Sequence, residues 1–207
     1  MIKTEVEHRG RLTEEEFHEL KSFFNEKGKF IAKNERFSVI YSQRKDDKKK
    51  EVYEHPVDLK VRITNKRGEL VLKYGKWSGS DARKEFLFPI EKEKFEEMIE
   101  FLKILGHYHG VLQATVTYLY NYKGVDFSLV ETPGWGYYFE AEVVIDGKEV
   151  DEANKKIEGV CDELSLRVLD HKGFCELLES LNDRSGFRFN FKKEEFSEVK
   201  KRFQNYF

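Results

Sequence analysis

Glu5-Val6-Glu7-His8-Arg9 carries charge at every second position. In a β-strand successive side chains point to opposite faces, so Glu5, Glu7 and Arg9 share one face and Val6 and His8 the other. Near the far end of the chain Phe139-Glu140-Ala141-Glu142-Val143 repeats the arrangement, with Glu140 and Glu142 together and apolar groups on the reverse. Between them Lys60 pairs with Arg62, and Arg83 with Glu85, at the same spacing, while Lys73 faces away from Leu70 and Leu72. The decisive stretches are therefore strands with one charged and one apolar face.

Working outward, period-two alternation predicts strands over Ile2–Arg9, Phe37–Ser42, Val57–Thr64, Glu69–Lys73, Arg83–Phe88, Val111–Tyr120, Val125–Glu131 and Tyr138–Ile145. Helices punctuate them. Thr13-x-x-Glu16 is a capping box opening a helix that carries Phe17, Leu20 and Phe24 and closes at Gly28. A second runs from about Glu91 to Leu105, with Phe95, Met98, Ile99, Leu102 and Leu105 on one face. A third spans Asp151 to Leu164 and a fourth Phe174 to Leu181. The pattern gives an α+β fold with an antiparallel sheet, its closure into a barrel left open. Residues 1–182 read as one domain. Residues 183–207, with a strand over Gly186–Phe191 and a helix bearing Phe196, Val199 and Phe203, read as a C-terminal lid or docking element.

The 207 residues are 39% hydrophobic and 37% charged, which allows a core under a heavily charged surface. Lys and Arg number 37 against 39 Asp and Glu, for a net charge of −2. That balance argues against a nucleic-acid coat or an anionic-membrane binder. Cys161 and Cys175 read as reduced thiols, the start is not a signal peptide, and no run is apolar enough to span a membrane. The expectation is a soluble cytoplasmic protein with no nucleic-acid or membrane partner, a homodimer being left open. The basic run Arg44–Lys50 reads as a solvated loop tip.

Two readings of the charged faces stay open at this point. Each face is the wet side of a sheet with cross-strand ion pairs. Or the faces converge inside a barrel, where two glutamate pairs offer hard oxygen ligands for Mg²⁺ or Mn²⁺ and the Lys and Arg groups grip phosphate. Segregation of like charges onto separate strands favours the second.

Resemblance bears on the choice. Glu5-Val6-Glu7-His8-Arg9 resembles the E-x-E-x-K signature of the CYTH family, also called triphosphate tunnel metalloenzymes. Asp58-Leu59-Lys60-Val61-Arg62-Ile63 is similar to its L-R-(I/V)-R strand, and Glu69-Leu70-Val71-Leu72-Lys73 to its strand ending in a phosphate-gripping lysine. Arg83-Lys84-Glu85 resembles the start of R-x-E-x-E. Phe127-Ser128-Leu129 through Gly134-Trp135-Gly136 to Phe139-Glu140-Ala141-Glu142 resembles its closing segment.

The resemblance implies an eight-stranded antiparallel β-barrel, the triphosphate tunnel, with flanking helices. It implies a metal-dependent hydrolase of inorganic triphosphate, thiamine triphosphate or a nucleoside triphosphate. Adenylate cyclase activity or a non-catalytic phospho-ligand binder are the alternatives. By position Glu5, Glu7, Glu140 and Glu142 would hold Mg²⁺ or Mn²⁺. Arg9, Lys60, Arg62, Lys73 and Arg83 would contact the phosphates, and Glu85 would buffer those bases or orient water. The chain departs from the pattern at Arg9 for Lys and Leu87 for the second glutamate. Thr115 and Thr117 stand where two lumen bases are expected, Val130 for an aspartate, and Gly173-Phe174 for a Ser-Tyr pair. Asp126 and Ser128 share the strand face of Val130.

Other candidates are weaker. His107 and His109 lack a third ligand, and His8 should face away from Glu5 and Glu7. Gly134-Trp135-Gly136 is a turn rather than a nucleotide loop, since no helix follows it. Both cysteines read as packing groups, and Tyr118, Tyr120 and Tyr122 share one packed face.

Overall fold

The computed structural model describes residues 4–41, 57–75, 81–145, 149–182 and 186–207, with backbone alone at 81–83 and 182. Its strands are β1 (Thr4–Leu12), β2 (Lys29–Tyr41), β3 (Val57–Thr64), β4 (Arg67–Tyr74), β5 (Asp81–Ile90), β6 (His109–Tyr122), β7 (Val125–Thr132), β8 (Gly136–Ile145) and β9 (Arg188–Asn190). The helices are α1 (Glu14–Lys27), α2 (Phe95–Ile104), α3 (Val150–Glu163), α4 (His171–Asn182) and α5 (Phe196–Arg202).

Strands run β2-β3-β4-β5-β1-β8-β7-β6, and β2 also pairs with β6, closing an eight-stranded antiparallel barrel. Two-residue turns join neighbours where the backbone can go left-handed: Asn65-Lys66 links β3 to β4, and Lys123-Gly124 links β6 to β7. β9 pairs with β6 at His109–Val111, outside the closed ring.

The apolar cores lie outside the barrel, under its helices. Phe17, Leu20 and Phe24 of α1 and Ile157 and Cys161 of α3 pack with Val6, Phe127, Phe139 and Ala141. Phe95, Ile99 and Leu102 of α2, with Phe189, Phe196 and Val199, pack with Phe37, Val61 and Ile63. The buried polar residues Glu7, Ser38, Asp58, Thr115, Thr117, Ser128 and Thr132 take the opposite strand positions and point inward; His8 alone among them lies on the outer face. The charged and polar strand faces thus turn into the closed barrel rather than onto an open side of a sheet. The wet-side reading of the charged faces is thereby set aside.

Several elements differ from expectation. β2 begins at Lys29, eight residues before the predicted Phe37, because its first half lacks a buried face. α2 starts at Phe95 after a 3-10 turn at Lys92–Lys94, and Leu105, predicted on its inner face, is exposed beyond its end. α4 starts at His171 rather than Phe174. In the C-terminal segment Phe189, Phe191, Phe196 and Val199 are buried in one core with Phe37 and Phe95. Arg44–Lys50 lies outside the described residues. No helix among the described residues is long and apolar enough to cross a membrane.

Candidate functional site

The acidic wall of the lumen is built by register. Antiparallel pairing of β1 with β8 sets Glu7 opposite Glu142 and Arg9 opposite Glu140. On the next strand β7 sets Asp126 opposite Glu142 and Ser128 opposite Glu140. Glu7 is only 3% exposed. Burial, reinforced by the charges of Glu7, Glu5 and Glu140 and opposed by Lys73, pushes the Glu142 carboxyl up to about 8. This is a carboxylate that asks for a proton or a cation.

Arg9 spans that wall. Its guanidinium lies 2.6 Å from Glu7 Oε1, and its Nε donates to Glu140 Oε1 at 2.8 Å. It also sits 4.9 Å from the ring centre of Phe174 on α4. Gly10 makes this closure work, because a Cβ there would collide with the Phe139 ring and the Arg167 carbonyl. The chain approaching α4 can thus lie against β1, where the Leu169 amide donates to the Arg9 carbonyl at 2.8 Å.

The basic wall rises on β3 and β4, where Asp58, Lys60 and Arg62 stand opposite Lys73, Val71 and Glu69. Lys60 donates to Asp58 at 3.2 Å, and Arg62 Nε to Glu69 at 2.6 Å. Lys73 Nζ lies 2.6 Å from Glu5, 3.4 Å from Glu85 and 3.8 Å from Glu7, tying the two walls together. Burial lifts the Glu5 carboxyl above its ordinary range against the pull of Lys73, and a hydrogen bond to Glu85 lifts it further. Burial works the same way on Glu85, but the bond from Glu5 and the charges of Lys73, Arg62 and Lys60 prevail and hold it at about 2. Arg83 lies opposite Glu5 in the β1–β5 ladder, with its side chain outside the described residues.

One lumen cation escaped the sequence reading. Arg36 faces inward opposite Thr115 of β6 and Thr64 of β3, and its Nε donates to Thr64 Oγ1 at 3.0 Å. Burial, then the charge of Arg62 beside it, pulls its pKa down. The signal that could have found it is its two-residue spacing from Ser38 in a longer β2. Thr115, Thr117 and Val130 do face the lumen, where they form a neutral stretch beyond Asp126.

The glutamates offer the oxygen donors that Mg²⁺ or Mn²⁺ favours, and the crowding at Glu142 fits a cation beside it. Among the described residues no three carboxylates are already gathered as a metal cluster. The physical reason is that Glu5, Glu7 and Glu140 each lean on Lys73 or Arg9, so a metal must compete with those bases.

The remaining candidates resolve as packing. His8 turns outward and bonds Asn154 of α3 at 2.9 Å. His107 and His109 contact the rings of Tyr41 and Tyr108. Cys161 is buried in the core, its thiol pushed up to about 12 by burial, and neither cysteine is in a disulfide. Tyr118, Tyr120 and Tyr122 pack on Phe17, Phe24 and Phe23 of α1. Gly134-Trp135-Gly136 is the β7–β8 turn, with the Trp135 amide donating to Thr132.

No protein-family model and no curated protein matches this chain. Solved structures do. A protein of Pyrococcus horikoshii OT3 is 26% identical with a TM-score of 0.69, covering 84% of this chain and 98% of its own. A candidate adenylate cyclase of Vibrio parahaemolyticus has a TM-score of 0.64 at 14% identity, over 86% of this chain and 99% of its own. A candidate adenylyl cyclase of Hippeastrum, described as having a dominant triphosphatase activity, has a TM-score of 0.58 at 14% identity, over 83% of this chain and 91% of its own. These neighbours fit the CYTH family, and what this chain shares with them is the closed antiparallel barrel.

Proposed function

On the premise of a CYTH-type tunnel, we propose that the lumen binds a small triphosphate and hydrolyses it with the help of Mg²⁺ or Mn²⁺. The observation that carries this reading is a closed barrel in which acidic side chains of β1 and β8 and basic side chains of β3 and β4 turn into one lumen, tied together by Lys73. Glu5, Glu7, Glu140 and Glu142 would hold the metal, which when bound neutralises phosphate charge and lowers the pKa of water. Arg9, Lys60, Arg62 and Lys73 exchange their present carboxylate partners for phosphate oxygens and fix the chain in line. Glu85, held near 2, is too weak a base to take a proton efficiently at neutral pH. Its part is to keep Lys73 and Arg62 in place. In the reaction, phosphorus gains an oxygen from water and loses the bridging oxygen to the departing diphosphate.

Hydrolysis is favoured over cyclisation by the dominant triphosphatase activity described for the Hippeastrum neighbour. A binder without turnover is the second reading, and the neutral stretch at Thr115, Thr117 and Val130 speaks for it. The test is incubation with tripolyphosphate, ATP or thiamine triphosphate plus Mg²⁺ or Mn²⁺, measuring phosphate and cyclic AMP. Phosphate release falling by at least about 100-fold in Glu5→Gln/Glu7→Gln supports the hydrolase. Cyclic AMP as the main product gives the cyclase, and metal-dependent binding without product the binder.

A further inference from the structure

We infer that Arg36 is a substrate-binding residue of the lumen, which takes a phosphoryl group between its own guanidinium and that of Arg62. The inference rests on the phosphate reading of the lumen and adds a contact that the sequence motifs do not contain.

Arg36 differs from the other described lumen cations. Arg9, Lys60, Arg62 and Lys73 each lie against a carboxylate. Among the described residues no carboxylate comes within ion-pair distance of Arg36, whose one hydrogen bond is to a neutral hydroxyl. Glu69 and Glu140 contribute to its electrostatic surroundings but are engaged by Arg62 and Arg9. A largely buried cation without a counter-charge is costly to keep. Here a second guanidinium adds to the cost: Arg36 and Arg62 share the inner face of adjacent strands, since Arg36 pairs with Thr64 and Arg62 with Ser38.

An anion removes both penalties at once. With Nε committed to Thr64, the terminal N–H groups of Arg36 remain to receive two oxygens of one phosphoryl group. The surroundings suit an oxyanion rather than a metal, because the nearby inward positions Ser38, Gln113, Thr115 and Thr132 are neutral. The Thr132 hydroxyl is buried without a partner. Arg36 faces Thr115 directly across the β2–β6 ladder. It therefore brings to that part of the barrel the positive charge that β6 lacks.

The test is calorimetric titration of the full chain with inorganic tripolyphosphate in Mg²⁺ buffer. Wild type is compared with Arg36→Gln, Arg36→Lys, Thr64→Val and, as an outward-facing control on the same strand, Lys33→Gln. Arg36→Gln should weaken binding about 10- to 100-fold, the range for a lost charge-assisted contact. Arg36→Lys should lose less, and Lys33→Gln should bind as wild type does. Melting of Arg36→Gln should occur no lower than wild type, because repulsion from Arg62 is relieved; a purely structural arginine would give the reverse. Thr64→Val, which keeps the charge and loosens only its anchor, should weaken binding several-fold even where Arg36→Gln folds poorly. Unchanged affinity in Arg36→Gln and Thr64→Val, with wild type binding, overturns the inference. A wild type that does not bind tripolyphosphate overturns the phosphate reading itself, and the role of Arg36 with it.

Discussion

Glu142 shows how a single residue can make the lumen pH-dependent. Its folded-state pKa, raised to about 8 by burial among Glu7, Glu5 and Glu140, exceeds that of an unfolded glutamate. The folded chain therefore binds more protons than the unfolded one between about pH 4.5 and 8, and stability falls as pH rises through that window. In metal-free buffer, the wild-type unfolding free energy should drop by about 2 kcal/mol from pH 6 to pH 8, and the melting temperature should fall with it. Glu142→Gln should flatten that drop and melt higher than wild type at pH 8. A variant whose pH profile parallels wild type would show that Glu142 is ionised throughout. That Glu142 shares a strand face with Glu140 was legible in the sequence, because period-two spacing assigns the face. Its pKa was not, since that depends on which acids the β1–β8 and β7–β8 registers bring beside it.

At the scale of elements, legibility followed the presence of one buried face. β3, β6 and β8 alternate apolar and polar groups and were readable nearly to their ends, and α1 was marked by the Thr13–Glu16 capping box, which is present. The first half of β2 pairs with β6 yet packs neither face well, leaving Phe30 and Ile31 about half exposed. A register shift between Phe30 and Ala32 further breaks its period, as a bulge does. Arg36 was lost to view with it. The C-terminal segment is the opposite case, its apolar spacing visible but its partner not. Phe196 of α5 meets Phe95 of α2 and Phe191, while Phe203 and Phe207 cover Phe37 of β2. Phe196→Ala should cost about 3–5 kcal/mol, the usual range for a buried aromatic, in one cooperative urea transition. Two separated transitions would mean that the segment folds apart from the barrel.

The whole molecule inverts a small barrel, with apolar cores outside under helices and a charged interior. Among the described lumen side chains, Glu5, Glu7, Asp58, Glu69, Glu85, Asp126, Glu140 and Glu142 outnumber Arg9, Arg36, Lys60, Arg62 and Lys73. Such an interior attracts a polyanion poorly by itself, since Arg9, Lys60, Arg62 and Lys73 are already engaged by acids. A divalent cation on the acidic wall would change the balance: it would neutralise carboxylates and free Arg9 and Lys73 for phosphate. Cation and triphosphate should therefore bind with positive coupling, each strengthening the other by the same factor. Tripolyphosphate in chelator-treated buffer should barely move the melting temperature. With Mn²⁺ or Mg²⁺ present, tripolyphosphate at a hundredfold excess over its dissociation constant should raise it about 5–10 °C above the metal-only value. Glu5→Gln/Glu7→Gln should abolish that coupling while leaving the small chelator-buffer response in place. Equal shifts with and without the cation would mean that the bases hold phosphate without help, and that the glutamates serve only to keep them in place.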